Sequence, residues 1–200
     1  MPAPYDKIAS QWESLRKDFR PGESDYLDLL VESLNPDSLI LDLGCGTGVP
    51  NAVFLNQAGH RIQGIDASEG LLEIARRNLP GSKFELGRLE DDAPLPGPFD
   101  GAICWDAIFH LDRRHHAPIF RRVAESLHPG AMFLLTSGGS ANDPFTDTMF
   151  GETFSYDAHP PDETKRLLED TGFEIVRSEL LEKPTGGRNK GRLAIAARKL

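Results

Sequence analysis

The sequence predicts an α/β protein whose doubly wound, mostly parallel seven-stranded sheet has helices on both faces and one antiparallel strand near the C-terminus. Three observations predict this fold. Short apolar runs alternate with helical segments of about 10–15 residues. A glycine-rich turn follows the first apolar run. The last two strands are joined only by a short Pro/Gly connection, Pro184–Gly187, which is too short for a parallel crossover, so they pair antiparallel.

The individual elements follow from apolar periodicity and from capping residues. Two helices, about 4–18 and 22–34, form an N-terminal helical cap (residues 1–35) on a core of residues 36–200, together one domain. Ser68 is the expected N-cap of the helix at 68–78, and Gly59 ends the preceding helix, 49–58. The predicted strands are 38–43, 61–65, 83–86, 100–105, 131–136, 173–180 and 193–197. The predicted core helices are 49–58, 68–78, 113–127 and 161–171, the last preceded by a polar loop.

The composition bounds the class of protein. Hydrophobic residues make up 39% of the chain and charged residues 26%, as is ordinary for a globular domain. No apolar run reaches about 18 residues, so we expect no transmembrane helix. The opening residues lack the basic and apolar pattern of a secretory signal. Cys45 and Cys104 are expected to be buried thiols in a reducing, cytoplasmic compartment.

The charge distribution argues against nucleic acid as the main partner. The net charge is −9, whereas nucleic-acid binding depends on neutralising phosphates with lysine and arginine. Residues 183–200 are the exception, because they contain no acidic side chain. A solvated loop and strand end explains this segment, and binding to RNA or another protein is the alternative. Its basic residues are Lys183, Arg188, Lys190, Arg192, Arg198 and Lys199.

A glycine-rich turn and an acid form the strongest local signal. Residues 41–48 read Leu-Asp-Leu-Gly-Cys-Gly-Thr-Gly and lie where the first strand turns into the next helix. Glycines there allow left-handed backbone conformations and the close approach of a ligand. Asp66 ends the second strand, 18 residues after Gly48. In a parallel sheet its carboxylate lies beside the turn, placed to accept hydrogen bonds from both hydroxyls of a ribose.

Other nucleotide-binding patterns are missing from the sequence. The dinucleotide pattern G-x-G-x-x-G would need a glycine where the chain has Val49 or Asn51. The Gly-Lys-Ser/Thr end of a P-loop is absent. No tyrosine is followed four residues later by the lysine that short-chain dehydrogenases require. The turn therefore predicts a nucleoside ligand other than a nicotinamide dinucleotide.

The turn resembles the Asp-x-Gly-x-Gly-x-Gly signature of class I S-adenosylmethionine-dependent methyltransferases. Residues 98–104 are similar to the fourth strand of that family, 127–131 to its L-x-P-G-G turn and 172–176 to the Gly-Phe opening of its sixth strand. The resemblance spans about residues 36–198. It implies a single-domain, Rossmann-like methyltransferase of the type that acts on small molecules.

The resemblance also implies the cofactor, S-adenosyl-L-methionine, and its product, S-adenosyl-L-homocysteine. In the family the glycine turn contacts the amino-acid end of the cofactor, and the acid matching Asp66 holds the ribose. Related enzymes commonly carry an acid for the adenine amino group where this chain has Arg88. We expect the Leu89 backbone N–H and apolar packing to hold adenine instead, and Glu90 as a substitute acid is the second alternative. The expected cofactor-binding residues are Asp42, Gly44, Cys45, Gly46, Gly48, Asp66, Ala67, Leu71, Arg88, Leu89, Glu90 and Trp105.

The segment after the fourth strand, residues 105–110, is expected to hold the chemistry. Ligands of open α/β sheets bind beyond the carboxyl ends of the strands. Methyl transfer from a sulfonium needs in-line alignment and, for some acceptors, removal of a proton. His110 is the first candidate for the catalytic base and Asp106 the second, and a purely structural role for His110 stays open.

Aromatic residues elsewhere predict an acceptor pocket. Tyr5 and Trp12 lie on the opening helix, which resembles the helix that covers the cofactor in many methyltransferases of small molecules. An amphipathic helix that only covers the edge of the sheet is the alternative. Tyr156 lies in the segment before helix 161–171. With His110, these three residues are expected to line the substrate site.

Three functions are open at this point. The short chain and the acidic charge favour methylation of a small molecule, by a monomer or a homodimer. Methylation of RNA or protein through residues 183–200 is the alternative, and a non-catalytic relative that binds the cofactor is the third. No metal is expected, since the adjacent His115 and His116 point in different directions on a helix.

Overall fold

The computed structural model describes residues 3–185, 187 and 189–200. Residues 1–2 of the predicted cap, Gly186 of the predicted connection and Arg188 of the basic segment lie outside the described residues. The strands are β1 Leu39–Leu43, β2 Arg61–Asp66, β3 Lys83–Leu86, β4 Phe99–Cys104, β5 Leu127–Gly138, β6 Phe145–Met149, β7 Glu152–Tyr156, β8 Phe173–Glu182 and β9 Arg192–Lys199.

Seven of these strands form the central sheet in the order β3-β2-β1-β4-β5-β9-β8. Strands β1 to β5 pair in parallel, whereas β9 is antiparallel to both of its neighbours, β5 and β8. The predicted fold class is therefore confirmed, including the reversed strand. The short connection between β8 and β9 dictates that reversal, because it cannot cross the sheet.

The helices cover both faces of the sheet. One buried apolar cluster joins the sheet to α2, α3 and α4, and a second joins it to α5 and α6. The α-helices are α1 Ala9–Leu15, α2 Glu23–Ser33, α3 Asn51–Gln57, α4 Glu69–Asn78, α5 His116–Ser126 and α6 Pro161–Asp170. Short 3₁₀ helices occupy Pro4–Ile8, Ile108–His110 and Arg113–His115. Among the described residues, no helix is long and apolar enough to cross a membrane.

Two predicted elements differ from the structure. The opening helix is not continuous over 4–18, because it begins as a 3₁₀ turn and ends at Leu15. The predicted polar loop after β5 contains a β6–β7 hairpin. Its two-residue turn, Phe150-Gly151, has positive φ at both positions (51° and 83°), as tight antiparallel hairpins require. The hairpin lies over the same end of the sheet as the glycine turn and packs against the 3₁₀ helices at Pro4–Ile8 and Ile108–His110.

Candidate active site

A cleft opens at the carboxyl ends of β1, β2 and β4 under the N-terminal segment. Most of the predicted site residues line it: Tyr5, Trp12, Asp42, Gly44, Cys45, Gly46, Gly48, Asp66, Ala67, Leu71, Leu89, Glu90, Trp105, Asp106 and His110. Arg88 and Tyr156 instead line a neighbouring cavity, which His110 and Glu90 share with the cleft. The sequence prediction missed other lining residues, namely Arg16, Thr47, Val49, Asn51, Ala107 and Leu111.

The glycine turn is shaped for a ligand to approach its backbone. Gly44 has a φ of +71°, and a Cβ there would lie 2.3 Å from the Cβ of Ala107. A Cβ on Gly46, at φ +55°, would project between the side chains of Trp12 and Leu71, which also line the cleft. Ala107 packs directly against Gly44, whereas at Gly46 the space that a side chain would take is left to the cleft.

Asp66 ties this turn to the start of α4. Its carboxylate accepts hydrogen bonds from the backbone N–H groups of Gly46 (2.8 Å) and Ser68 (2.9 Å). Burial raises the pKa of Asp66, and these N–H groups partly oppose the rise. Each carboxylate oxygen has more than one lone pair, so Asp66 can bind the turn and still accept hydroxyl hydrogens.

Asp42 lies at the end of β1 and is only 3% exposed. Burial and the negative charge of Asp66 raise the pKa of Asp42 to about 8. A substantial fraction of Asp42 therefore carries a proton at neutral pH, when no cation is near.

The loop after β3 presents Glu90 to the cleft. Arg88 was expected to contact the cofactor, but its guanidinium binds the Glu90 carboxylate, with Nε 2.9 Å from Oε1. Arg122 of α5 donates hydrogen bonds to the carbonyl oxygens of Leu89, Asp91 and Ala93, which fix the loop from behind. The departure at position 88 thus places a carboxylate in the cleft two residues further along the chain.

His110 has a defined tautomer. Its Nδ1 lies 3.1 Å from the carbonyl oxygen of Ser155, which can only accept, so Nδ1 carries the hydrogen. Nε2 of the neutral ring is then an acceptor, and the hydroxyl of Tyr5 donates to it at 3.2 Å. Burial lowers the pKa of His110, while burial raises the pKa of Tyr5 well above its ordinary value. At neutral pH the pair is an uncharged imidazole and an uncharged phenol.

Asp106 is held by ion pairs and backbone geometry. Its φ of +55° lies in the left-handed region, and its backbone N–H donates to Oγ1 of Thr136 at 2.7 Å. Its carboxylate accepts from Arg192 through Nε (2.7 Å) and Nη2 (3.1 Å). Both carboxylate oxygens accept hydrogen bonds from Arg192, so Asp106 is less available than His110 to take up a proton.

A buried glutamate links this segment to the N-terminal cap. Glu23 at the start of α2 is fully buried and pairs with Arg192 and, at 2.7 Å, with Arg16. Trp105 donates its indole N–H to the same carboxylate at 3.2 Å. Burial would raise the pKa of Glu23, but the Arg20 backbone N–H and the two guanidinium groups lower it below its ordinary value. Arg20 joins these groups through its Nη1, which lies 3.6 Å from Oδ2 of Asp106. We refer to Arg16, Arg20, Glu23, Asp106 and Arg192 as the ion network.

The N-terminal segment is fastened across the cleft at two places. Asp6 accepts hydrogen bonds from the Ser68 hydroxyl (2.7 Å) and the Gly70 N–H (3.1 Å) at the start of α4. Lys7 pairs with Glu152 of the hairpin at 2.8 Å. These contacts keep Tyr5 against His110.

Tyr156 belongs to a group of aromatic rings around His110. The ring centroids of Tyr156 and His110 are 4.8 Å apart, and those of Tyr5 and buried Phe154 are also 4.8 Å apart. Two of the predicted substrate residues, Tyr156 of the hairpin and Tyr5 of the N-terminal segment, thus contact the same imidazole. Among the described residues, no three His, Cys, Asp or Glu side chains are grouped so as to hold a metal ion.

Comparison with known proteins finds several methyltransferases. The model of a methyltransferase domain family matches residues 40–130. The O-methyltransferase resE of Aspergillus sclerotiorum is 30% identical over 68% of this chain and 55% of its own length. The magnesium-protoporphyrin O-methyltransferase of a Synechocystis strain is 28% identical over 82% of this chain and 77% of its own. The chain therefore spans only about half the length of the fungal relative.

Solved structures share the fold. The structure of an S-adenosylmethionine-dependent methyltransferase of Methanosarcina mazei superposes with a TM-score of 0.74, at 22% sequence identity. The similarity covers 92% of this chain and 99% of the other. At this identity the likeness concerns the arrangement of helices and strands.

Proposed function

We propose that this chain is a class I S-adenosylmethionine-dependent methyltransferase and transfers a methyl group from S-adenosyl-L-methionine to a small-molecule acceptor, which its similarity to a methyltransferase domain family and to O-methyltransferases supports. The observation that carries the proposal is the meeting of the glycine turn, Asp66 and His110 in one cleft. The cofactor supplies the methyl group on a sulfonium, and S-adenosyl-L-homocysteine is the product. In this proposal residues 1–35 are the cap and residues 36–200 the core of one methyltransferase domain.

The cleft residues fit this cofactor. The space beside Gly46 accommodates a ligand against the backbone, and Asp66 can accept the hydroxyls of a ribose. Arg16 lines the same cleft and is 7% exposed, and its guanidinium can bind a carboxylate. Asp42 supplies a carboxylate that a neighbouring ammonium group would ionise.

Adenine recognition is assigned to the loop after β3. Glu90 can accept from the adenine amino group, and the Leu89 backbone N–H can donate to a ring nitrogen. Arg88 orients the Glu90 carboxylate, and Arg122 holds the carbonyl groups of the loop. In this proposal a carboxylate still contacts the adenine amino group, although this chain has Arg88 at the position where related enzymes carry the acid.

His110 acts as the base through Tyr5. A proton leaving the acceptor passes to the Tyr5 hydroxyl oxygen while the Tyr5 hydrogen moves to Nε2 of His110. The Ser155 carbonyl stabilises the resulting imidazolium by accepting from Nδ1. This arrangement suits an acceptor whose nucleophilic atom carries a proton, such as a hydroxyl. Asp106, bound to Arg192, is a positioning residue for the segment that carries His110.

The proposed partner is a small molecule rather than a nucleic acid. Arg192, one of the six basic residues of the 183–200 segment, is buried in the ion network and contributes no surface charge. We further propose a monomer or homodimer and a cytoplasmic location, the latter because Cys45 and Cys104 are both free and buried.

Calorimetry tests the proposal directly. S-adenosylhomocysteine should bind with a Kd of about micromolar order, and NADH should not bind. Turnover is then measured as S-adenosylhomocysteine release with phenols, amines and thiols as acceptors. Binding of NADH without binding of S-adenosylhomocysteine would overturn the proposed function.

A further inference from the structure

A second cavity, of about 400 Å³, lies between the β6–β7 hairpin and the ends of β5 and β9. Three aromatic rings form its apolar wall. The Phe145 and Tyr156 rings are stacked, with centroids 5.1 Å apart at 11°, and Phe109 is nearly parallel to Tyr156 at 6.1 Å. Tyr156 also contacts His110, so this cavity adjoins the candidate base.

Two residues that line this cavity carry a buried donor for which the described part of the chain supplies no hydrogen bond. Oγ of Ser137 and Nη1 of Arg192 are both buried and have no hydrogen-bond partner among the described residues. Ser137 is 1% exposed and Arg192 is 6% exposed, and both residues line the cavity. Buried donors are nearly always paired in folded proteins, so this pair indicates where oxygen atoms of a ligand would be bound.

Arg192 and Glu182 line the cavity and belong to a cluster of charged side chains whose charges are balanced. The guanidinium groups of the ion network are Arg16, Arg20 and Arg192, and the carboxylates around them are Glu23, Asp106 and Glu182. Glu182 Oε1 lies 3.7 Å from Nη1 of Arg192, close enough for an ion pair but too far for a hydrogen bond. A ligand carboxylate would add an uncompensated negative charge beside Glu182, whereas a neutral oxygen would accept from the same donors without that repulsion.

The other charged groups on the cavity do not change this balance. Arg113 binds Asp157, which lines the cavity, through Nε at 2.5 Å. Lys190 and Asp147 also line the cavity and have opposite charges, and the Lys190 ammonium lies 5.6 Å from the centre of the Phe145 ring. The cavity therefore combines planar apolar walls with donors for an uncharged oxygen.

We propose that this cavity holds the part of the acceptor remote from the methylated atom. It selects a neutral carbonyl oxygen (a ketone, lactone, quinone or amide) on a planar conjugated compound through Ser137 and Arg192. The inference rests on the proposed function, because only then is the cavity part of an acceptor site.

Three phenols of similar size test the selection. They are 4-hydroxyacetophenone with a neutral carbonyl, 4-hydroxybenzoate with a carboxylate, and 4-ethylphenol with neither. Calorimetry on the full chain saturated with S-adenosylhomocysteine should show the ketone binding about tenfold more tightly than the other two. Ring-to-ring contacts with Tyr156 in NMR spectra would locate it. Equal affinities, preferred binding of 4-hydroxybenzoate, or no binding of the ketone would overturn the inference.

Ser137→Ala should lower the affinity for 4-hydroxyacetophenone by about five- to tenfold and leave that for 4-ethylphenol unchanged. Ser126→Ala is the matched control, because the buried Ser126 hydroxyl donates to the Val123 carbonyl at 2.9 Å, away from the cavity. Without ligand, Ser137→Ala should not lower Tm, whereas Ser126→Ala should. If Ser137→Ala lowers Tm as much as Ser126→Ala does and leaves ketone binding unchanged, the Ser137 hydroxyl is structural and the inference is wrong.

The two proposals fail in different ways. If S-adenosylhomocysteine binds and the ketone is not preferred, the cavity assignment fails while the proposed function stands. If S-adenosylhomocysteine itself does not bind, the proposed function fails, and with it the assignment of this cavity to an acceptor.

Discussion

The hydroxyl oxygen of Tyr5 lies 3.2 Å from Nε2 of His110, although 105 positions separate the two residues in the chain. The Ser155 carbonyl on the opposite ring nitrogen fixes which side of the imidazole can take a proton. The pair is therefore a preset acceptor for a proton, and both members can be tested separately.

His110→Gln should lower kcat by about 10²-fold or more, because general-base contributions are typically 10²–10⁴. Activity of the unaltered protein should fall as pH drops, with a midpoint below 6.5, since burial lowers the pKa of His110 and only the neutral ring accepts a proton. The pH dependence of kcat/KM, with an acceptor from the turnover screen, measures this. S-adenosylhomocysteine affinity is the control and should change only a few-fold. An identical acid limb in the variant would mean that His110 is not the base.

Tyr5→Phe should reduce kcat to a similar extent, because it removes the hydroxyl that connects the acceptor to Nε2 while keeping the ring packed against Phe154. The double variant with His110→Gln should be little slower than either single variant, since residues that act as one unit are not additive. Steady-state kcat of the four proteins measures the coupling. Independent, multiplying effects would show that Tyr5 and His110 act separately.

Asp42 should make the ligand-free protein less stable at high pH. Its pKa is about 8 in the fold and near 4 in an unfolded chain, so folding favours the protonated form. The stabilising contribution is complete below about pH 4 and is lost as pH rises through 8. The side chain introduced by Asp42→Asn cannot ionise. The free energy of unfolding of the variant, relative to that of the unaltered protein, should therefore increase as pH rises from 5.5 to 8.5. Urea unfolding at four pH values measures the difference; a constant difference would mean that Asp42 does not titrate there.

Glu90→Gln should weaken the preference of the cofactor site for adenine over hypoxanthine. S-inosyl-L-homocysteine carries a carbonyl oxygen where adenine has its amino group, so it repels a carboxylate but can accept from a glutamine amide. The unaltered protein should prefer S-adenosylhomocysteine by at least about tenfold, and the variant should lose most of that preference. Asp92→Asn, on the exposed part of the same loop, is the control. Calorimetry with both compounds gives the ratio, and an unchanged ratio in Glu90→Gln would move adenine recognition elsewhere.

Glu23→Ala should destabilise the protein by about 3–5 kcal/mol, because it leaves Arg16 and Arg192 buried with one partner fewer. Glu13→Ala removes an exposed partner of Arg77 at 3.4 Å and should cost less than about 1 kcal/mol. Chemical denaturation of the two variants compares them. Similar losses would indicate that the ion network is no more stabilising than a surface pair.

Much of the sheet could be predicted because local patterns determine it. The apolar runs of β1 and β2 are short and end at turn residues, and the N-cap at Ser68 accepts from Leu71 as its sequence context suggests. The glycine turn was recognisable because its spacing is local. The hairpin was missed, although Phe150-Gly151 between alternating residues is a hairpin signal, because Phe at a positive φ is rare.

The parts of the site that could not be predicted depend on distant partners. Nothing in the neighbourhood of Arg192 indicates that it turns inward to Asp106 and Glu23, so the segment around it reads as a basic tail. Likewise, the sequence alone does not say whether Arg88 faces the cleft or holds Glu90. Local periodicity indicates which side chains of a strand face the core. It does not indicate which charged side chains pair with each other at the end of the sheet.

The position of β9 between β5 and β8 affects the order in which parts of the site form during folding. The strand that carries Arg192 must insert between two partners, one of them more than 50 positions earlier, and its arginine must reach Glu23, 169 positions away. Contacts this distant in sequence form slowly. Before they form, Asp106 and Glu23 lack their shared cation, and the segment that carries His110 is unsupported. We therefore expect the contact between the glycine turn and Asp66 to form earlier in folding than the support of the segment that carries His110, the proposed base.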